Sequence, residues 1–332
     1  MRRTSASSDL ILRARSHELS VADDAFGWFT DSSQLLDNMP ALHDRLEADG
    51  YLFLPGFHPR EDVLRARRVV TERLQRDGFT DPAYPAEDAV AVERLKILNE
   101  KSAFRPPIGG DTLPHPVKTY NSDTLTKDNP PLYDLLYRGR CKVFFEHFFG
   151  GPVRHFNYTW SRVVSPGLGT PPHCDTVYMG RGTPNLLTTW TPLGDTSLRL
   201  GGLMILENSH RQTNRLAKYL SRDVDEYCVN KPLAKEIESG KRLFEWDGTL
   251  SKNPVTLREK LGGRWLTAEE YHAGDILIFT MRTVHASLDN QSDRIRLSCD
   301  SRYQLASEPA DERYTVENPV PYSPDFKRGR VC

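Results

Sequence analysis

The sequence predicts a mainly β fold with packed helices: a jelly-roll or β-sandwich core, helical support before it and one long insert within it. Three observations carry this. After Gly151, short segments rich in Val, Thr, Tyr and Trp alternate with Gly/Pro/Asn/Asp turns. Before Gly151, apolar residues recur at helical spacing. Between residues 207 and 272 the β texture stops and charged residues dominate, an excursion too long for an ordinary loop.

Taken in order, residues 1–40 read as a partly ordered arm. Its Arg/Ser-rich start is a poor transit peptide because of Asp9 and reads as a frayed tail. Residues 41–332 then form one domain: helical support over 41–150, a β core over 151–305 holding a lid or specificity insert over 207–272, and a tail over 306–332. Tyr51–Phe57 is a short apolar strand closed by Pro55-Gly56. Pro59 opens a helix with Glu61 and Asp62 in its first turn and Val63, Ala66, Val70 and Leu74 as its apolar stripe. A second helix is expected over 131–149, carried by Leu132, Leu135, Leu136, Val143, Phe144 and Phe148 and ended by Gly150-Gly151. Strands are expected over 153–164, 176–179, 185–192, 203–206, 275–281 and 294–305.

Composition excludes several classes. Lys+Arg at 44 nearly cancels Asp+Glu at 45, which leaves no electrostatic footprint for nucleic acid or an anionic membrane. No apolar run approaches a membrane span. Five scattered cysteines without a CxxC pair argue against a disulfide framework or structural zinc and fit a reducing, cytoplasmic setting. Nothing in the sequence fixes the oligomeric state.

The chemistry concentrates in His173-Cys174-Asp175, His285 and Arg296, the arginine eleven residues beyond the histidine. On a strand, His173 and Asp175 point to one face and Cys174 away, as a small buried hydrophobe. Two imidazoles and one carboxylate leave open positions on an octahedral metal, which suits non-haem Fe(II). A hairpin turning near Asn290/Gln291 places His285 across from Arg296 and Thr283 across from Ser298, all on one face. Ile295 and Leu297 take the other face, toward helices. An inward arginine needs a partner, and a carboxylate matches its fork.

With those residues assembled, the chain resembles the phytanoyl-CoA dioxygenase (PhyH-like) family of Fe(II)/2-oxoglutarate oxygenases. The resemblance rests on Asp49-Gly50-Tyr51 through Phe57, Phe149–Val153, His173-Cys174-Asp175, Trp190–Leu193, Gly201–His210 and Gly274 through Arg296, in one order over about residues 45–305. It implies a double-stranded β-helix (cupin-like) fold. It implies Fe(II) ligands at His173, Asp175 and His285, and 2-oxoglutarate held by Arg296, with Ser298 and Trp190 lining its pocket. It implies hydroxylation of an unactivated C–H bond in a small or medium organic molecule, with O2 and 2-oxoglutarate converted to succinate and CO2. Asp175 stands where halogenating relatives carry a small residue, so halogenation is not expected.

Rival readings stand beside these. His210 is an alternative distal ligand or a turn residue, Arg294 an alternative clamp, His155 a pocket or core residue, and His272 a surface turn residue. Tyr158, Trp160, Arg162, Tyr178, Arg181 and Arg282 either face the substrate or serve the core and surface; arginines converging on the mouth would imply an anionic substrate. A non-catalytic 2-oxoglutarate/metal sensor and a cupin-type isomerase or lyase are the competing functions.

Overall fold

The computed structural model describes residues 10–96, 128–225 and 246–317, with 235, 236, 239, 241 and 319. Two sheets face each other. The larger orders Tyr51–Leu54, Ile276–Thr280, Leu187–Pro192, Arg296–Leu305 and Val153–His155, with Trp160–Val164 also paired to Arg296–Leu305. The smaller orders His285–Ser287, Leu203–Leu206, Trp265–Thr267 and Phe26–Trp28. All pairings are antiparallel except that of Trp265–Thr267 with Phe26–Trp28. This is the expected jelly roll.

Strand alternation divides the core. Tyr51, Phe53, Trp190, Leu203, Ile205, Leu266, Leu277 and Phe279 fill the space between the sheets. Leu52, Leu54, Ile276, Ile278, Leu297 and Cys299 point outward from the larger sheet into a helical layer. That layer is Arg60–Arg76, whose buried Val63, Ala66, Val70 and Leu74 are the expected stripe, with Pro130–Tyr137 and Gly139–Phe149.

The helix expected over 131–149 is two helices. Arg138 is extended (φ −127°, ψ −175°) and Gly139 takes φ +52°, which breaks the run. The strand expected over 153–164 is likewise split, between His155 and Trp160. Thr176–Met179 is a helical turn, not a strand. The N-terminal arm contributes Phe26–Trp28 to the smaller sheet. The stretch read as insert returns Trp265–Thr267 and Glu270–Tyr271 to sheets before residue 272. Most of 226–245, Cys228 and the end of the tail with Cys332 lie outside the described residues.

The expected hairpin is absent. His285–Ser287 pairs with Leu203–Leu206 in the smaller sheet, while Arg296–Leu305 belongs to the larger. The intervening chain crosses between sheets, tied by Asn290, whose side chain donates to Val164 O and Arg294 O. Alternation within the long strand still turns Arg296, Ser298, Asp300 and Arg302 to one face, and Ile295 and Leu297 join the helical core as expected.

Candidate metal centre

Pro171-Pro172 prevents a regular ladder before His173, so the HxD segment is a loop joined to the barrel by one bridge, His173 with His285. Asp175 is αR (φ −67°, ψ −23°) and begins the Thr176–Met179 turn. The strand expected to aim His173 and Asp175 at one face is therefore a loop entering a helical turn, and the side chains converge all the same.

His173, Asp175 and His285 are buried, with one potential ligand atom from each lying within 4.8 Å of the others. His173 Nδ1 meets Pro171 O at 2.8 Å and His285 Nδ1 meets Thr283 O at 3.0 Å. A carbonyl only accepts, so each ring carries its proton on Nδ1 and offers the Nε2 lone pair to the centre. Asp175 Oδ1 faces both, 4.0 Å from His173 Nε2 and 3.8 Å from His285 Nε2. Its Oδ2 is taken: Thr188 Oγ1 donates to it at 2.5 Å and Arg302 Nη2 at 3.0 Å. One oxygen is left for a metal.

Burial raises the Asp175 carboxyl, but Arg302, His285, His173 and the Thr188 hydroxyl outweigh it and hold the group ionised. Burial, reinforced by His285, lowers His173 to about 3, and burial also lowers His285. Neutral imidazoles beside a carboxylate are the protonation states a divalent metal requires. This donor set fits a non-haem iron with open positions.

Arg296 is 2% exposed; its Nη1 donates to Ser298 Oγ at 2.6 Å, and its buried Nε has no acceptor among the described residues, nor does any described carboxylate pair with it. Burial, with Arg162 nearby, lowers it to about 10. A buried guanidinium lacking a carboxylate fits a dicarboxylate's far end. Trp190 is buried with its ring 4.7 Å from that of Tyr271. Thr283 donates its hydroxyl to Gly50 O, so its link to the site is the carbonyl beneath His285.

A cavity of about 240 Å³ opens over His173 and Asp175. Tyr158, Trp160, Arg162 and Tyr178, four of the sequence candidates, line it, as do Asp247 and Thr249 from the charged stretch. Arg181 instead pairs with Asp223 at 2.7 Å, and Arg282 is exposed. His210 meets Glu47 O at 3.1 Å in a 3-10 turn, and Arg294 lies 3.7 Å from Asp88 with its side chain 52% exposed, so neither replaces its rival. His155 packs against Tyr137, the rings tilted by 30° at 4.2 Å, and His272 is a surface residue beside Glu270. Cys174 is buried, and burial pushes its thiol up. Sequence reasoning missed Thr188 and Arg302. The signal for Arg302 was alternation: Arg296, Ser298, Asp300 and Arg302 give a strand one wholly polar face.

The model of the phytanoyl-CoA dioxygenase (PhyH) family matches residues 46–298. The chain belongs to that family. It is an Fe(II)/2-oxoglutarate-dependent oxygenase. Two curated relatives are 1-deoxypentalenic acid 11-beta-hydroxylases, from Streptomyces exfoliatus and Streptomyces arenae. Each is 26% identical over 298 residues, covering 86% of this chain and 87% of the relative. The solved non-heme alpha ketoglutarate dependent carbocyclase SnoK from nogalamycin biosynthesis shares the fold, with a TM-score of 0.50 at 16% identity over 89% of this chain and 98% of its own.

Proposed function

We propose that His173, Asp175 and His285 hold Fe(II), that Arg296 with Ser298 holds the far carboxylate of 2-oxoglutarate, and that the enzyme hydroxylates an unactivated C–H bond of a small or medium organic molecule. The observation that carries this is the pairing of a buried two-histidine, one-carboxylate donor set with a buried arginine that no described carboxylate pairs. Iron held there would supply the oxidising chemistry, with 2-oxoglutarate and O2 converted to succinate and CO2.

The chain's own contribution is positioning. The Pro171 and Thr283 carbonyls fix both imidazoles, and Arg302 with Thr188 keeps Asp175 to one free oxygen. Phe279, its ring 4.5 Å from His285, and Tyr178, 5.6 Å from His173, restrict ring rotation. Trp190 is read as a wall of the co-substrate pocket, and Thr283 as a support for His285. The small cavity limits water around the reacting bond. The hydroxylase names of the two curated relatives support the reaction type. Three described cysteines, all free and buried, support a reducing compartment, the cytoplasm.

The test is anaerobic. Fe(II) followed by 2-oxoglutarate should produce the weak visible charge-transfer band of the chelate in wild type. His173→Ala should abolish it. Arg296→Ala should raise the 2-oxoglutarate concentration needed by roughly tenfold or more, the cost of a charge-assisted hydrogen bond. Iron-loaded, folded wild type without a band would favour a cupin-type lyase. A band without any substrate gaining one oxygen in air would favour a sensor.

A further inference from the structure

Arg302 is a second buried arginine on the polar face of the Arg296–Leu305 strand, and holding Asp175 uses only one of its nitrogens. It is 1% exposed and lines the cavity over the triad. Its guanidinium lies over Trp160, 4.3 Å from the ring centroid, which fixes its plane. Nη2 donates to Asp175 Oδ2, while Nε and Nη1 are buried with no acceptor among the described residues. Unpaired N–H groups on a buried cation are costly, and a guanidinium cannot relieve the cost by losing a proton.

Charge counting points the same way. Among the described residues, Arg162, Arg296 and Arg302 supply three positive charges around the site, and Asp175 and Asp300 supply two negative ones. Metal-bound imidazoles are neutral. On the function proposed above, the charges of Fe(II) and the 2-oxoglutarate dianion cancel, so one positive charge remains. Asp300 is committed to Arg162, 3.0 Å from its Nη2, and stands 3.9 Å from Arg302, beyond hydrogen-bond reach. Asp247 at the rim is exposed and accepts from its own Thr249 amide at 3.0 Å, so water rather than Arg302 compensates it. The excess charge falls on Arg302.

We infer that the substrate is a monoanionic carboxylate and that Arg302 receives that group, holding the molecule over the triad while its Nη2 stays on Asp175. This rests on the proposed function, and the experiment separates the two. The holoenzyme, loaded anaerobically with Fe(II) and saturating 2-oxoglutarate in an acetate-free buffer, is titrated with acetate and, separately, with neutral acetamide. Both are small enough to enter whatever the true substrate's shape. Acetate should shift the charge-transfer band saturably, and acetamide should not. Arg302→Met, checked for iron content and an intact band, should weaken acetate by roughly tenfold or more. Arg302→Lys should recover part of the loss. Equal responses to acetate and acetamide, or none to either, would overturn the carboxylate site on wild type alone, whatever the variants do. A band that never forms would instead remove the underlying Fe(II)/2-oxoglutarate reading.

Discussion

At the residue scale, His58 shows what burial does to a titratable group away from the candidate centre. It is 4% exposed, its Nε2 has no partner among the described residues, and burial, with the Arg140 charge, lowers it to about 4 from an ordinary 6.5. The folded state thus resists a proton that the unfolded chain accepts. Stability is unaffected by this group above pH 6.5 and falls as pH drops from 6.5 to about 4. Over that window the group should remove about 3 kcal/mol, at ~1.4 kcal/mol per unit. His58→Leu should therefore lose less stability than wild type between these pH values. Urea unfolding at several pH values measures the difference, and parallel curves would show that His58 titrates normally.

At the element scale, two departures from expectation come from backbone constraints that periodicity does not register. Among the residues that converge on the candidate centre, His173, Asp175, His285 and Arg296 were legible as residue types, whereas Arg302 and Thr188, whose roles depend on what they touch, were not. Gly139 divides the helix, and Pro171-Pro172 keeps the HxD segment out of a strand. That segment is steadied from outside. Leu250 N donates to Pro172 O at 2.8 Å, Tyr178 Oη donates to Asp247 O, and Tyr219 Oη accepts from Cys174 N at 3.0 Å and donates to Gly248 O at 2.7 Å. Residues 246–250 form a strap over the ligand loop. Tyr219→Phe leaves the Cys174 N–H and the Gly248 carbonyl without their shared hydroxyl. The expected cost is about 1–3 kcal/mol, the penalty for an unsatisfied buried group. Hydrogen exchange should show faster opening at 172–178 and 246–250 together. Faster exchange in only one of the two segments would mean that the hydroxyl does not couple them.

At the scale of the whole molecule, the sequence showed the order of segments, the jelly roll and the helical layer, but not which sheet each strand joins. Parity placed His285 beside Arg296 by assuming a hairpin, whereas the chain crosses between sheets after Leu288. That crossing gives the metal centre a structural consequence. His285 stands on the smaller sheet, Asp175 is bonded to Thr188 and Arg302 on the larger, and His173 lies in the loop between. An ion shared by the three would tie the two sheets together at one end and bind the folded state alone. Fe(II) with 2-oxoglutarate at a hundredfold excess over its dissociation constant should add about 2.7 kcal/mol. For a chain this large the gain corresponds to a Tm rise of roughly 4 °C. Anaerobic calorimetry should show that rise in wild type and none in His173→Ala, whose ligand set is incomplete. Iron alone should give part of the shift in Arg296→Ala, with little added by 2-oxoglutarate. An equal rise in all three proteins would place the binding elsewhere, and no rise in wild type would mean that the triad does not close on an ion across the two sheets.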